Sequence, residues 1–451
     1  IMSNRRLLFL DALRGFFILY LLFIHGLSGA IFNNDMQALK QAPVWLLVLF
    51  APVVLLAPWS PIFAFISGVA HAYVTHGVME KHRNQRGGSP FRPIMAGAIA
   101  TAVLLYLLSL FNMGFMHHSM PFNGEFRHTL FTGALHEGRW FPFDMQMLFY
   151  NDALSMVALN TLLVGGLLYF MWRGDGFRHT RRYTVIIACG TAAVFLLSPL
   201  VHALLTPYYF DALNSNHYGT AVLLKLLVGP NMAILPYLGY GLFGVLLGVA
   251  LARRTPAALM RRYGYGFSVL FLACGAALFM VQGFSPVELA QHPFPIKIHF
   301  INLSSMLAFC TWMILRMEYC PEEQRVRAAA RTLWLRRMGL VALTAFCLES
   351  FVAVLFSRAY LWVLGVEGDF PRTLPYIIPF LVCVLAFWNT LFYFWAKVDF
   401  KYSVEWWISR IVCWVRNRPS IRLQTEEVLH RPCRIPGAFA APLPTVENEK
   451  S

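Results

Sequence analysis

Charge is what this chain has least of. Only 13% of its 451 residues are Asp, Glu, Lys or Arg, about half the share a water-soluble domain carries, so a fully solvated globular surface is excluded. Acid is scarcer than base, 22 residues against 37, leaving a formal net charge of +15. Cysteine is sparse and badly placed for cross-linking. Cys189, Cys274, Cys310, Cys347 and Cys383 fall in apolar stretches, and Cys320, Cys413 and Cys433 in basic segments, so no disulfide framework is implied. Neither a CxxC pair nor a paired Cys/His spacing occurs, so no metal site is expected. No internal repeat is evident either.

What is abundant is long apolar runs. Hydrophobic residues make up 58% of the chain, and several runs exceed the ~20 residues needed to cross a bilayer. Crossings are expected near 7–29, 57–76, 95–114, 146–171, 184–206, 229–251, 265–283, 298–315, 338–356 and 375–396. The fold class is therefore an all-α integral membrane protein with about ten transmembrane helices. An even number of crossings puts both termini on one side. Segments 1–6, 77–94, 172–183, 252–264, 316–337 and 397–451, which share that side, hold 29 of the 37 Lys and Arg residues. Basic residues accumulate on the cytoplasmic face, so both termini are expected there. The positive charge orients the chain and gives no reason to invoke nucleic acid.

Residues 1–415 read as one membrane domain. Residues 416–451, ending in the Pro-rich "LHRPCRIPGAFAAPLPTVENEKS", read as a polar cytoplasmic tail expected to be disordered. No cleavable signal peptide is expected, because nothing after the first apolar run resembles a small-residue cleavage site. "PVWLLVLFAPVVLLAPWSPIFAFISG" (43–68) is too long for one crossing and is broken at Pro52, Pro58 and Pro61. It reads as an interfacial segment that turns into the second span. The largest outer loop, 115–145, combines His, Asn, Glu, Arg and aromatic residues, a composition that suits either a sugar-like ligand or an ordinary structured surface loop.

The first crossing, "RRLLFLDALRGFFILYLLFIHG", carries Asp11, Arg14 and His25. Each costs several kcal/mol in lipid unless it faces protein or water. At 100° per residue, Arg14 and His25 lie only about 20° apart around the helix and about 16 Å apart along it. Asp11 is three residues before Arg14, close enough to pair with it. All three share one face, with Arg14 toward the inside and His25 toward the outside. An arginine can anchor an anion and a histidine can act as a base near neutral pH. A helix-packing ion pair beside an interfacial histidine accounts for the same pattern.

"LDALRG" (10–15) with Arg14-x10-His25 resembles the first-helix signature of the membrane-bound acyltransferases. That superfamily includes the acyltransferase-3, heparan-α-glucosaminide N-acetyltransferase and glucan succinyltransferase families. "PWSPIFAFISGVAHA" (58–72) resembles the "P-W-F-x-F-x-x-G" stretch of the acetyltransferase branch, and "FPIKIHFINLSSMLAF" (294–309) resembles a third motif of that branch more weakly. The clear match covers about the first 70 residues. The resemblance implies an enzyme of a bacterial inner membrane that moves an acyl group, acetyl in the first instance, from cytoplasmic acyl-CoA to an extracytoplasmic glycan hydroxyl or amine. It implies His25 as catalytic base or acyl carrier, Arg14 as the motif arginine and donor-binding residue, and Asp11 as the motif acid. It implies acetyl-CoA or another acyl-CoA as donor, with the glycan acceptor and the lipid bilayer as further partners. No metal and no nucleic acid are implied, and a homodimer is left open.

Other polar residues lie where apolar ones would be cheaper. Asn151 and Asp152 open the fourth crossing and fit an acceptor pocket or a helix cap. Lys297, His299 and Asn302 enter the eighth crossing, and Glu349 lies in the middle of the ninth. All six are candidate substrate-binding residues; for Glu349 a structural polar link or proton handling fits equally. His71 and His76 read as interfacial. "GYGLFG" (239–244) satisfies GxGxxG without the strand a nucleotide site requires, so Gly244 and Gly248 read as helix-packing residues. Intramembrane charges also mark transport paths, and a secondary transporter or exporter of a polar or glycan-related solute is the alternative function.

Overall fold

The computed structural model describes residues 6–34, 56–82, 91–173, 176, 179–283, 288, 294–368, 370–417 and 424–434. Among the described residues there are fifteen α-helices and one short hairpin. Ten helical segments of the described residues are long and apolar enough to cross a membrane: Leu8–Ile31, Ile62–Glu80, Arg92–Met116, Ala153–Trp172, Thr180–Asn214, Ile234–Ala252, Ala257–Gln282, Ile296–Met317, Ala342–Leu364 and Leu374–Ala396. Each coincides with one expected crossing. Of the interfacial segment expected over 43–68, residues 43–55 lie outside the described residues. The remainder makes a tight turn at Ala57–Trp59 and enters its helix at Ile62.

The helices follow in chain order. They are α1 (Leu8–His25), α2 (Ile62–His82), α3 (Phe91–Phe111), α4 (Leu130–Glu137), α5 (Ala153–Trp172), α6 (Thr180–Asn214), α7 (Tyr218–Val228) and α8 (Ile234–Ala252). After them come α9 (Ala257–Gln282), α10 (Ile296–Met317), α11 (Glu322–Arg331), α12 (Leu333–Leu340), α13 (Ala342–Leu364), α14 (Leu374–Ala396) and α15 (Val404–Val415). The hairpin pairs β1 (Met120–Phe122) with β2 (Glu125–Arg127), antiparallel, with Pro121 opposite Phe126. Local sequence sets the ends. Asp152 and Ser155 form a reciprocal capping box at the start of α5, and Gly365 closes α13 in the left-handed conformation.

Helix α1 runs through the interior. Leu8, Phe9, Leu13, Phe17 and Ile18 are buried, and α12, α13 and the following π-type turn pack along it. The approach of α12 is close enough to exclude side chains. A Cβ at Gly15 would strike the Leu335 carbonyl, and one at Gly339 would strike the Asp11 carbonyl. Helices α2 and α8 meet in the same way, Gly244 lying on the Phe65 carbonyl and Gly248 on the Val69 carbonyl. The GYGLFG stretch is thus a packing surface, as small residues between membrane helices commonly are.

Two features depart from the sequence reading. Helix α15 is a separate amphipathic segment that buries no residue fully and lies against α3, with Trp407 and Trp414 exposed. Such a face suits a membrane–water boundary. Of the tail expected to be disordered, residues 418–423 and 435–451 lie outside the described residues, and 424–434 form two short helical turns. Leu429 is fully buried, because the buried Arg336 guanidinium of α12 donates to the carbonyls of Val428 (3.2 Å) and Leu429 (2.8 Å). Pro and charged residues hid a segment that is held by its backbone carbonyls. Arg336→Ala removes charge-assisted bonds worth about 1.5–3 kcal/mol each and is expected to release 424–434. Limited proteolysis checks this: the variant should be cut there at least tenfold faster than the native chain.

Candidate active site

His25 is the last residue of α1, and the chain continues into a π-type turn over Gly26–Ile31. Single π turns within helices concentrate at functional sites. Glu349 projects from the middle of α13 and is buried, its side chain 3% exposed against 28% for His25. The two meet directly: His25 Nδ1 lies 2.6 Å from Glu349 Oε1. The same oxygen accepts from Ser350 Oγ at 2.7 Å. With a carboxylate on its Nδ1 side, the neutral imidazole carries its proton there and leaves the Nε2 lone pair free.

A third group arrives from the loop after α3. That helix also ends in a π-type turn, Asn112–Met116. Thr129 Oγ1 donates to the His117 carbonyl (2.5 Å) and Thr132 Oγ1 to the Met116 carbonyl (2.6 Å). These bonds fix the His117–His118 pair against α4. The His118 ring lies over Gly29, with no space for a side chain there, and its Nε2 is 3.8 Å from Glu349 Oε2. His25, His118 and Glu349 each offer a ligand atom within 4.8 Å of the others. Burial, reinforced by His118, pushes the neighbouring His117 imidazole down to about 4, so it is neutral at physiological pH. The 115–145 loop as a whole is a folded element, with the hairpin, α4 and His128 stacked on Phe141.

Asp11 and Arg14 sit at the other end of α1, paired less closely than their spacing implied. Asp11 is held by Arg6, whose Nε lies 2.6 Å from Oδ2 and whose second nitrogen lies 3.1 Å from Oδ1. Arg14 is 3.9 Å away, and it lines a cavity of about 490 Å³. His71, Thr75, Thr161, Glu405 and Arg416 line the same space. His71 is therefore inside the bundle rather than interfacial, 3.3 Å from Thr161 Oγ1. Burial raises the Glu405 carboxyl, although Thr344 Oγ1 (2.6 Å) and the Leu343 amide donate to it. The cavity reaches Ile18 and does not include His25. Ile18 and Leu21 are both buried, so the polar face of α1 is interrupted between its two polar ends.

The remaining candidates are scattered and internally bonded. Asp152 caps α5 and accepts from Ser109 Oγ at 2.5 Å, and Asn151 donates to the Lys225 carbonyl at 2.9 Å. Lys297 pairs with Glu288 at 2.8 Å. His299 Nδ1 meets the Tyr240 hydroxyl at 2.9 Å, and Asn302 donates to the Pro58 carbonyl at 2.7 Å. Glu349 alone of the six joins the first-helix residues. Sequence reasoning missed Arg6 and His118. The only available signal for His118 was the His117–His118 doublet in an otherwise mixed loop.

Comparison of the chain with family models, curated proteins and solved structures finds no match. The motif residues of α1 and the geometry around them therefore carry the functional argument alone.

Proposed function

We propose that this chain is a membrane-embedded acyltransferase that takes an acyl group from cytoplasmic acyl-CoA and delivers it to an extracytoplasmic glycan hydroxyl or amine. The observation that carries the reading is the contact of partly exposed His25 with buried Glu349, at 2.6 Å, at the far end of the helix whose Arg14 lines a cavity. The basic segments orient that cavity toward the cytoplasm and His25 toward the outside.

The chemistry follows from the tautomer. His25 Nε2 takes the proton of the acceptor hydroxyl or amine as its oxygen or nitrogen attacks the thioester carbonyl. Glu349 stabilises the imidazolium that forms and fixes the ring, the role of the acid in a nucleophile–His–acid triad. The tetrahedral intermediate collapses with loss of the CoA thiolate, and the imidazolium returns the proton to that sulfur. Arg14 binds an anionic part of the donor in the inner cavity. From Ile18 the thioester still has to advance about 10 Å along α1, seven residues at 1.5 Å each, which suits the thin arm of CoA and excludes its nucleotide.

The test uses purified full chain in detergent. Acetyl-CoA should bind saturably by calorimetry, and Arg14→Ala should weaken binding at least tenfold. Leu21→Trp, just beyond the cavity on the way to His25, should leave CoA binding within threefold but cut transfer of radiolabelled acetyl groups to membrane glycan at least a hundredfold. Absence of CoA binding, together with solute uptake by CoA-free proteoliposomes, would replace this reading with a transporter.

A further inference from the structure

Glu349 has a second oxygen that the base mechanism leaves unused. Among the described residues neither Glu349 Oε2 nor His118 Nε2 has a hydrogen-bond partner, and both are buried. They face one another at 3.8 Å, too far for a hydrogen bond. Two buried polar atoms left unpaired in the interior cost about 1–3 kcal/mol each. A cation placed between them and His25 Nδ1 relieves both at once.

We propose that His25, His118 and Glu349 form a binding site for one zinc-class divalent ion, and that filling it silences His25 as a base. Zinc accepts imidazole nitrogen and carboxylate oxygen, with ligand bonds of about 2.0–2.2 Å. Tetrahedral geometry then spaces the ligand atoms about 3.3 Å apart. His25 Nδ1 lies 2.6 Å from Oε1 and His118 Nε2 lies 3.8 Å from Oε2, on either side of that spacing, and one ligand atom from each residue lies within 4.8 Å of the other two. Side-chain shifts of about an ångström close the site. Two nitrogens and one carboxylate disfavour calcium and magnesium, which demand oxygen. The outer shell is already in place, since Ser350 Oγ holds the carboxylate and Gly29 backs the His118 ring. Three protein ligands leave a fourth position open, and His25 is the partly exposed member.

Silencing follows from the tautomer. A metal at Nδ1 takes that lone pair, so the proton of the neutral ring resides on Nε2. The nitrogen that would accept the acceptor's proton then bears one itself. No oxidation and no covalent step is involved. The silencing half rests on the reading of His25 as base, whereas the binding half does not.

The experiment takes purified full chain, with its affinity tag removed, and titrates it with Co²⁺ while recording visible absorption, then with Zn²⁺ by calorimetry. The expected result is one ion per chain, d–d bands of tetrahedral intensity that Zn²⁺ bleaches, and at least a tenfold loss of affinity in His118→Ala and in Glu349→Gln. Glu288→Gln should bind as the native chain does. The native spectrum needs no variant, so a misfolded mutant leaves the test intact. Absence of d–d bands, or bands unchanged in a folded His118→Ala protein, overturns the site. Saturating Zn²⁺ should lower acetyl transfer at least tenfold, with recovery on chelation. Binding without inhibition would overturn the silencing and count against His25 as base. Inhibition that survives in His118→Ala would assign it to another site.

Discussion

His25→Ala is expected to lower acyl transfer by at least 10³-fold while leaving acetyl-CoA binding within a few-fold of native. General-base catalysis contributes about 10²–10⁴-fold, and no described side chain duplicates the free Nε2. Glu349→Gln should cost about 10²–10⁴-fold. The amide keeps the shape of the carboxylate but can present N–H to Nδ1, driving the ring proton to Nε2, as in triads whose acid is replaced by its amide. Residues that act as one unit lose function non-additively, so the double variant His25→Ala/Glu349→Gln should be no worse than His25→Ala alone. The alanine variant also strands a buried carboxylate, which is destabilising by about 3–5 kcal/mol. His25→Gln, which retains a donor toward Glu349, separates that effect. It should restore apparent Tm and leave transfer undetectable. Transfer within threefold of native in any folded His25 variant would exclude His25 from the chemistry.

The parts of this site that were legible in the sequence obey a local rule. A helix repeats every 3.6 residues, so the shared face of Arg14 and His25 follows from their spacing. Glu349 stands out because a carboxylate amid apolar residues needs a partner. The partner itself was not legible, since 324 residues separate the two and only the packing of α13 on α1 joins them. Asp11 shows the limit of local pairing rules. Its i,i+3 neighbour Arg14 was the expected partner, yet Arg6, five residues back, reaches both carboxylate oxygens and frees Arg14 for the cavity. Asn151, Asp152, His299 and Asn302 stand out for the same reason as Glu349. Each of these has at least one partner within the fold, whether a helix cap, a backbone carbonyl or a buried tyrosine. Polarity inside an apolar run marks an obligatory partner without saying whether that partner is protein or substrate. The ten helices were legible throughout, because hydrophobic length alone specifies them.

Gly15, which completes the Leu-Arg-Gly stretch, is assigned by the fold to packing rather than chemistry, with a large expected effect. Alanine is the better helix former by about 1 kcal/mol, so Gly→Ala within a helix ordinarily stabilises. Gly166 of α5 is the control: a Cβ there meets nothing within 4 Å, and Gly166→Ala should hold or raise apparent Tm. At Gly15 the added carbon would collide with the Leu335 carbonyl, and at Gly339 with the Asp11 carbonyl and the Gly15 amide nitrogen. These obstacles are backbone, so no rotamer change relieves them, and α12 must move off α1. Overpacking costs about 1–3 kcal/mol where side chains can adjust, and here the adjustment falls on whole helices. Gly15→Ala and Gly339→Ala are each expected to lower apparent Tm in detergent by several degrees, a shift in proportion to such a cost. Because Arg14 adjoins Gly15, both should also weaken acetyl-CoA binding at least tenfold, with His25 chemically untouched. A thermal scan of the three variants beside native protein decides the point. If Gly15→Ala tracks Gly166→Ala, the contact between α1 and α12 is not what requires glycine at this position.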